Sequence, residues 1–223
     1  MALSETLMEI YRGMREAFGH QHWWPGESPF EVMVGAILTQ HTNWRNVERA
    51  ILALKQEGLL SPAALAAAEP DRLQAAVRSS GYYRQKAARL RRLAAYLIEQ
   101  AGGDLDLLGE VPTHELRRQL LGIRGIGPET ADSILLYALE RPTFVVDTYT
   151  KRVVVRHGLL DPGCTYMELK ELFESCLPQD VELYKDYHAQ LVRVGRLFCR
   201  SQPLCQRCPL HGLLGDPVED EQV

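Results

Sequence analysis

The stretch from Leu120 to Leu135 contains a tight turn, Gly125-Ile126-Gly127, between two apolar segments with the spacing of α-helices. Glycine adopts positive φ angles without strain and, lacking a Cβ, lets the backbone approach a ligand closely. Pro128 suits the first turn of the helix that follows. Free amides at the start of that helix, with the positive end of its dipole, can bind an anion such as a DNA phosphate. Taken alone, a Gly-x-Gly turn is more often only a connection between helices.

Asp147 is the second candidate for chemistry, because it directly follows the short apolar run Phe144-Val145-Val146. Three residues are too few to build a sheet around, so we interpret the run as buried extended chain. Such a segment would deliver Asp147 to a fixed place between two helices. An aspartate at the start of a helix is by itself most often an N-cap. Its position after the hairpin is what makes Asp147 a candidate catalytic group.

The hairpin, with its Thr130-Ala131 pair, and the segment from Val145 to Val153 resemble the endonuclease III branch of the helix-hairpin-helix DNA glycosylases. The resemblance extends over nearly the full chain. It implies an enzyme of base excision repair that cuts the bond between a damaged base and its sugar in double-stranded DNA. Glycosidic cleavage develops oxocarbenium-like charge on the sugar, which a fixed carboxylate can stabilise while it orients or deprotonates an attacking water. The resemblance assigns that role to Asp147 and implies DNA contacts by Gly125, Ile126, Gly127, Thr130 and Lys151.

Glu129 occupies the position, directly before Thr130-Ala131, where bifunctional members of this family carry a lysine. That lysine is an amine nucleophile, which forms a Schiff base and then nicks the strand. A carboxylate cannot form a Schiff base, and the hairpin contains no other lysine. We therefore predict a monofunctional glycosylase with little or no AP lyase activity.

The three tryptophans lie near the two ends of one predicted helix. A lone tryptophan is explained equally well by core packing, but a base turned out of the duplex needs aromatic faces to stack on. Trp-Trp-Pro, Leu-Thr-Gln-x-Thr-x-aromatic and Gly-Ile-Gly-x-Glu together resemble the 3-methyladenine DNA glycosylase type III subfamily, in which these aromatics clasp an alkylated purine. Methylation at a ring nitrogen gives the base a positive charge that aromatic faces attract. The resulting candidate base pocket consists of Trp23, Trp24, Pro25, Trp44 and Glu129.

Two further loop residues, Gln40 and Tyr82, receive roles from the same resemblance. Gln40 would fill the space left by the flipped nucleotide, and Tyr82 would wedge into the opposite strand. The alternatives are a plain polar residue and a packing tyrosine. Trp44 stands where the subfamily has a smaller aromatic residue, which leaves the preferred lesion open.

The chain has five cysteines, and an odd number of cysteines disfavours a disulfide framework. Cys199-x5-Cys205-x2-Cys208 resembles the iron-sulfur loop of this family, where four thiolates hold a [4Fe-4S] cluster. The fourth cysteine would fall near Leu214 and is absent, with His211 as the one nearby substitute. The sequence leaves open a cluster with an unusual fourth ligand, zinc on three cysteines and a histidine, or a loop held by packing. The resemblance favours the cluster, and we expect no catalytic metal.

Composition excludes several broad classes of protein. A hydrophobic content of 46% with 24% charged residues is typical of a globular protein, and no apolar run approaches the roughly 20 residues of a membrane span. The start of the chain lacks the features of a signal peptide. A net charge of -4 argues against a general polyanion binder, although 84–92 and 151–156 are basic tracts. We expect a cytoplasmic, nucleoid-associated monomer with no membrane partner.

The elements that must position these residues are predicted to be helices almost throughout. We expect an all-α, two-lobed fold, in which a helical barrel over residues 28–140 includes the helix-hairpin-helix at 116–138. The second lobe joins 1–27 with 141–223, including the cysteine loop at 199–208, and DNA is expected to lie across the cleft. Ser28, Asn43, Ser61 and Thr113 are candidate helix caps.

Two other functions fit parts of the sequence. The first is a bifunctional endonuclease III-like glycosylase and AP lyase that acts on oxidised pyrimidines. The second is a non-catalytic helix-hairpin-helix module that keeps the hairpin to hold phosphates. Glu129 argues against the first function, and the presence of Asp147 with the tryptophans argues against the second.

Overall fold

The computed structural model describes residues 3–213, and every regular element within that range is helical. This confirms the predicted all-α fold. The chain divides into two compact units. We call residues 24–141 the inserted unit, and residues 3–23 with 142–213 the terminal unit. No helix of the described residues is long and apolar enough to cross a membrane.

The inserted unit is built around α2, a helix whose residues are buried on almost every side. A helix that is apolar all round belongs in the centre of a core. A π-helical turn at Ile134–Ala138 packs against it, and two 3-10 turns, Arg78–Ser80 and Leu105–Glu110, connect neighbouring helices. The α-helices of this unit are α2 (Pro29–Leu38), α3 (Trp44–Gln56), α4 (Pro62–Ala67), α5 (Pro70–Ala76), α6 (Tyr83–Ala101), α7 (Thr113–Gly122) and α8 (Pro128–Ser133).

The terminal unit combines the described residues near both ends of the chain. Its helices are α1 (Leu3–Phe18), α9 (Thr148–Arg156), α10 (Tyr166–Cys176) and α11 (Val181–Leu197). The core contains the stacked rings of Phe144 and Phe173, whose centroids lie 4.1 Å apart, with Tyr184 and Tyr187 packed edge-on against Phe144. The run Phe144–Val146 is non-helical and buried, and it leads directly into α9.

Most predicted helix starts carry the expected caps. The side chains of Ser28, Asn43 and Ser61 each accept a hydrogen bond from the backbone amide three residues further on. The cap predicted at Thr113 is wrong. Pro112 has the extended backbone of the cap position, so α7 starts one residue earlier than expected and Thr113 is its first residue.

The unit boundaries differ by a few residues from the predicted lobes. The sequence predicts boundaries at residues 28 and 140, whereas the structure divides at 24 and 141. Trp24 therefore belongs to the inserted unit, with α2, while Trp23 belongs to the terminal unit. The predicted second lobe extends to residue 223, and its part beyond 213 lies outside the described residues.

Candidate active site

The hairpin of the inserted unit runs from α7 through Gly125 and Gly127 into α8. Gly125 has a φ of 99°, and a Cβ at this position would lie 2.6 Å from Nε of Arg89. Glycine is therefore required at 125 both for its backbone angle and for space. Gly127 has a φ of -96° and no neighbour near its missing Cβ, so only the first glycine of the turn is demanded by the fold. Ile126 is buried, and its amide donates to the Ile123 carbonyl at 3.0 Å.

A buried ion pair holds the two helices of the hairpin together. Arg117 on α7 donates two hydrogen bonds to Asp132 on α8, from Nε to Oδ1 at 2.8 Å and from Nη2 to Oδ2 at 3.1 Å. The Asp132 side chain is fully buried, so the paired geometry offsets much of the cost of removing its charge from water. The sequence analysis did not identify this pair.

Gln40 lies against the hairpin. Its Nε2 donates to Oγ1 of Thr130 at 2.9 Å and to the carbonyl oxygen of Gly125 at 3.3 Å. Its Oε1 accepts a hydrogen bond from Arg89 on α6. Thr130 is itself buried, so the predicted DNA-contacting residues Gln40 and Thr130 form a connected polar group at the turn.

Tyr82 lies at an exposed loop tip close to Gln40. Its side chain is 64% exposed, and both Tyr82 and His41 adopt left-handed backbone angles, with φ of 46° and 54°. Their rings meet edge to face at 6.2 Å between centroids. Gln40, His41, Tyr82 and Arg89 are among the residues around a cavity of about 220 Å³. The loop geometry therefore presents an aromatic residue to solvent beside the hairpin.

Lys86 ties together the two loops that carry Gln40 and Tyr82. Its Nζ donates to the carbonyl oxygens of Leu38 at 2.9 Å and Ser80 at 2.6 Å, and the side chain is fully buried. Burial, helped by the charge of Arg89, lowers the pKa of Lys86 to about 8. Although Lys86 belongs to the basic tract 84–92, its ammonium group binds carbonyl oxygens of the protein itself.

Trp24 and Trp44 of the predicted base pocket lie together in the inserted unit. Their rings meet edge to face at 5.4 Å, and the Trp24 ring also lies 5.3 Å from the ring of Tyr137 on the π-helical turn. A Cβ at Gly35 would lie 3.1 Å from the Trp24 indole, so Gly35 gives this ring its space on α2. Trp24 and Tyr137 also line a cavity of about 510 Å³.

The other predicted pocket residues are Trp23, Pro25 and Glu129. Pro25 is exposed, Glu129 is an exposed residue in the first turn of α8, and Trp23 is half-buried in the terminal unit. Tyr137, in contrast, was missed by the sequence analysis. Its place on a π-helical turn, a feature frequent at functional sites, becomes visible only in the structure.

Asp147 lies in the terminal unit as the N-cap of α9. Its Oδ1 accepts a hydrogen bond from the Thr150 amide at 2.7 Å, and its Oδ2 lies 3.8 Å from Nε2 of His188 on α11. The side chain is 13% exposed. Burial by itself raises the pKa of Asp147, but interactions with His188 and Thr150 outweigh burial and hold that pKa below its ordinary value. The carboxylate is therefore both a helix cap and a buried charge.

The segment before Asp147 is held by a buried network from α10. Glu174 accepts hydrogen bonds from the Phe144 amide at 2.7 Å and from Nζ of Lys170 at 2.7 Å, and Lys170 also donates to the Phe144 carbonyl at 3.1 Å. The backbone groups of a non-helical buried segment need such partners. These contacts fix the direction from which the chain enters α9.

Lys151 and the cysteine loop are engaged by the protein itself. Lys151, a predicted DNA contact, donates to the Cys164 carbonyl at 2.9 Å. Arg152 donates to the Cys199 carbonyl at 2.9 Å, and Arg156 lies 3.4 Å from the Cys199 sulfur while donating to the Arg200 carbonyl at 2.5 Å. The start of the loop is thus bound to α9 by two arginines.

The cysteine side chains do not assemble into a metal site. Across residues 3–213, no three His, Cys, Asp or Glu side chains are grouped so that they could hold a metal ion. Cys199, Cys205 and Cys208 are free thiols, and the predicted fourth position near Leu214 lies outside the described residues. The loop itself supplies three thiolates, one fewer than a four-thiolate cluster takes, and the other two cysteines of the chain are Cys164 and Cys176.

The all-α fold and the hairpin of α7 and α8 define a helix-hairpin-helix protein, and solved structures support the same class. An H. pylori 3-methyladenine DNA glycosylase, MagIII, bound to 1,N6-ethenoadenine superposes with a TM-score of 0.76 and 27% identity over 85% of this chain and 97% of that one. A trapped endonuclease III–DNA covalent intermediate gives a TM-score of 0.81 and 26% identity over 97% of each chain.

Sequence comparison places the chain more narrowly. A Methanocaldococcus jannaschii protein assigned as a DNA repair glycosylase is 46% identical over 207 residues, 92% of this chain and 94% of that protein. The model of the HhH-GPD superfamily of base excision DNA repair proteins matches residues 34–179. The chain belongs to this superfamily and is a DNA glycosylase of base excision repair.

Proposed function

We propose that this glycosylase is monofunctional and hydrolyses the N-glycosidic bond of alkylated bases in double-stranded DNA. The proposal depends on which residues the hairpin contains. Residues 116–138 include no lysine, and Glu129 precedes Thr130 on α8. A carboxylate cannot form a Schiff base with the sugar, so water serves as the nucleophile. The reaction therefore releases the base without cleaving the DNA strand.

Asp147 performs the chemistry in this proposal. Departure of the base leaves positive charge on the sugar, and a buried carboxylate opposes that charge more strongly than a solvated one would. The same carboxylate orients the attacking water or accepts its proton. The Thr150 amide donates to Oδ1, which fixes one of the two carboxylate oxygens and leaves Oδ2 for the reaction.

The aromatic cluster supports the choice of substrate. Trp24, Trp44 and Tyr137 provide large aromatic surfaces within one unit, and such faces attract a base that carries positive charge from methylation. The structure of the H. pylori glycosylase contains 1,N6-ethenoadenine, which is an alkylated adenine. A base that carries positive charge from methylation also leaves easily. A single carboxylate is therefore enough to catalyse its release.

DNA binding in this proposal depends on the hairpin and on the two loops beside it. The glycine turn 125–127 and the amides at the start of α8 bind a phosphate, while Gln40 and Tyr82 enter the duplex where the base is turned out. Lys151 adds positive charge near Asp147 in the sequence. A net charge of -4 limits the affinity for undamaged DNA, and the protein acts as a monomer.

The cysteine loop in this proposal is held by protein contacts. Arg152 and Arg156 bind the start of the loop, and Leu210 is fully buried after it. A [4Fe-4S] cluster or a zinc ion would require side chains that the described residues do not bring together. No step of the reaction depends on a metal at this loop.

The decisive experiment measures base release from duplexes that each contain one methylated, deaminated or oxidised base. Strand breaks are read with and without alkali. We expect release of methylated and etheno purines, with breaks appearing only after alkali. Preferred release of an oxidised or deaminated base would overturn the substrate assignment. Breaks without alkali, together with borohydride trapping of a covalent adduct, would identify the bifunctional enzyme.

The role of Asp147 is tested against a matched aspartate. Asp180 caps α11 as Asp147 caps α9, accepting a hydrogen bond from the Leu183 amide at 2.7 Å. Asparagine preserves a cap at either position. We expect Asp147→Asn to reduce single-turnover base release by roughly 1000-fold or more, and Asp180→Asn to leave it unchanged. Equal base release by the two variants would overturn the assignment of Asp147 as the catalytic carboxylate.

A further inference from the structure

His188 on α11 lies beside the Asp147 carboxylate, and the proposed reaction does not use it. Its Nε2 lies 3.8 Å from Oδ2 of Asp147, and its side chain is 7% exposed. That distance is longer than a hydrogen bond but within the range of an ion pair. The other carboxylate oxygen, Oδ1, is already bonded to the Thr150 amide.

The packing of α11 against α9 explains why His188 lies at this place. A Cβ at Gly195 would lie 2.5 to 2.8 Å from side-chain atoms of Tyr149, so the missing side chain permits close approach of the two helices. Seven residues are about two turns, so His188 and Gly195 share one face of α11. The contact at Tyr149 therefore directs His188 toward the start of α9, where Asp147 stands.

Other charged groups of the neighbouring helices have recorded contacts elsewhere. Lys151 donates to the Cys164 carbonyl, and Arg152 donates to the Cys199 carbonyl. Asp186, close to His188 on α11, is bound by Tyr11 and Arg15 of α1. The recorded side-chain influences on the Asp147 carboxylate come from His188 and Thr150.

We propose that His188 is a positioning residue for the glycosylase reaction, holding Oδ2 of Asp147 from one side while the Thr150 amide holds Oδ1 from the other. This inference rests on the proposed function. Contacts of catalytic groups are often long in the absence of substrate and shorten in the complex, so the 3.8 Å separation suits a group that tightens when DNA binds. The imidazole also opposes the effect of burial, which alone would raise the pKa of Asp147.

The first test compares His188→Phe, which keeps a ring but removes the nitrogen, with His188→Gln, whose amide nitrogen reaches a similar place. Tyr184→Phe, in the same buried face of the terminal unit, is the matched control. We expect His188→Phe to slow single-turnover base release roughly 10 to 100-fold with the Kd for DNA unchanged within twofold. His188→Gln should recover most of the rate, and Tyr184→Phe should resemble the wild type.

A wild-type rate in His188→Phe would overturn the inference. Equal slowing in His188→Phe and His188→Gln, with both variants folded, would also overturn it, because that result indicates only a packing role. If the phenylalanine variant does not fold, His188→Gln carries the test through its pH–rate profile, whose acid limb should move to higher pH. An unmoved limb contradicts the proposal.

A second measurement separates this inference from the proposed function. The carboxyl carbon of Asp147 can be titrated by NMR in the wild type and in His188→Gln without any substrate. We expect the pKa of Asp147 to be higher in the variant, and an unchanged pKa would overturn the pairing. A wild-type protein that releases no base would instead defeat the proposed function, whatever this titration shows.

Discussion

At the scale of single residues, Asp147 combines two roles that compete in a sequence-based interpretation. An aspartate at a helix start is ordinarily a cap, and here the Thr150 amide bond shows that it is one. The same residue is also a buried charge beside His188. The cap bond uses only Oδ1, so capping does not prevent Oδ2 from taking part in chemistry.

The lowered pKa of Asp147 predicts how stability depends on pH. A carboxyl whose pKa is lower in the folded than in the unfolded state contributes stability above the unfolded pKa of about 4. That contribution is lost as pH falls through the folded pKa. We therefore expect the difference in unfolding free energy between wild type and Asp147→Asn to stay constant from pH 7 to 5 and to shrink below about pH 4. Urea unfolding over this range measures it, and a difference that grows with acid contradicts the shift.

The two glycines of the hairpin turn provide a matched pair for stability. Gly125→Ala forces a Cβ onto a backbone with φ of 99° and against Arg89, so we expect a loss of about 1–3 kcal/mol in unfolding free energy. Gly127→Ala meets no neighbour and should change stability far less. Chemical unfolding compares the two variants. Equal losses would show that the turn is not strained at Gly125.

At the scale of elements, the hairpin is more than a connection between α7 and α8. Arg117 and Asp132 lock its two helices, and Gln40 binds the turn from the end of α2 while Arg89 binds Gln40 from α6. In the proposed DNA complex, a phosphate-binding turn held in this way would lose little conformational entropy on binding, because its contacts already order it in the free protein.

The ion pair of the hairpin predicts a large effect for a single substitution. Arg117→Met removes the guanidinium from the fully buried Asp132 carboxylate, and we expect a loss of roughly 3–5 kcal/mol in unfolding free energy. Arg118→Met, on the same helix, breaks an exposed pair with Glu115 and should have little effect. Thermal and urea unfolding of both variants check this. Restoration by a second substitution, Asp132→Leu, would confirm that the loss comes from the buried Asp132 carboxylate.

At the scale of the whole molecule, the residues of the proposed site are distributed over two units of the chain. The aromatic cluster and the hairpin lie in the inserted unit, whereas Asp147 and His188 lie in the terminal unit. The terminal unit also contains the cysteine loop, bound to α9 by Arg152 and Arg156.

The proposal that protein contacts hold the cysteine loop predicts the properties of the purified protein. We expect no stoichiometric iron, no absorbance band near 400 nm, and a change in Tm of less than about 4 °C for Cys205→Ser. The half-buried Cys176, which lies outside the loop, provides the control Cys176→Ser. Four irons per chain with that absorbance band, lost in Cys205→Ser, would contradict the proposal and require an unusual fourth ligand.

The sequence by itself determined the features that depend on neighbours along the chain. Helix starts at Ser28, Asn43 and Ser61 follow from one side chain and an amide three residues away, and the hairpin follows from its glycines and apolar spacing. The superfamily followed from the same local motifs. The cap predicted at Thr113 was wrong, because the N-cap is the preceding residue, Pro112. Local sequence preferences do not fix a helix end to within one residue.

Only the tertiary structure decided which distant residues meet. His188 reaches Asp147 because Gly195 allows α11 to approach Tyr149, and Tyr137 joins Trp24 because a π-helical turn packs against α2. The spacing of apolar residues within one helix does not predict such pairings, because they depend on how the helices pack against one another. The sequence identified the carboxylate and the hairpin, while the fold selected the imidazole beside that carboxylate.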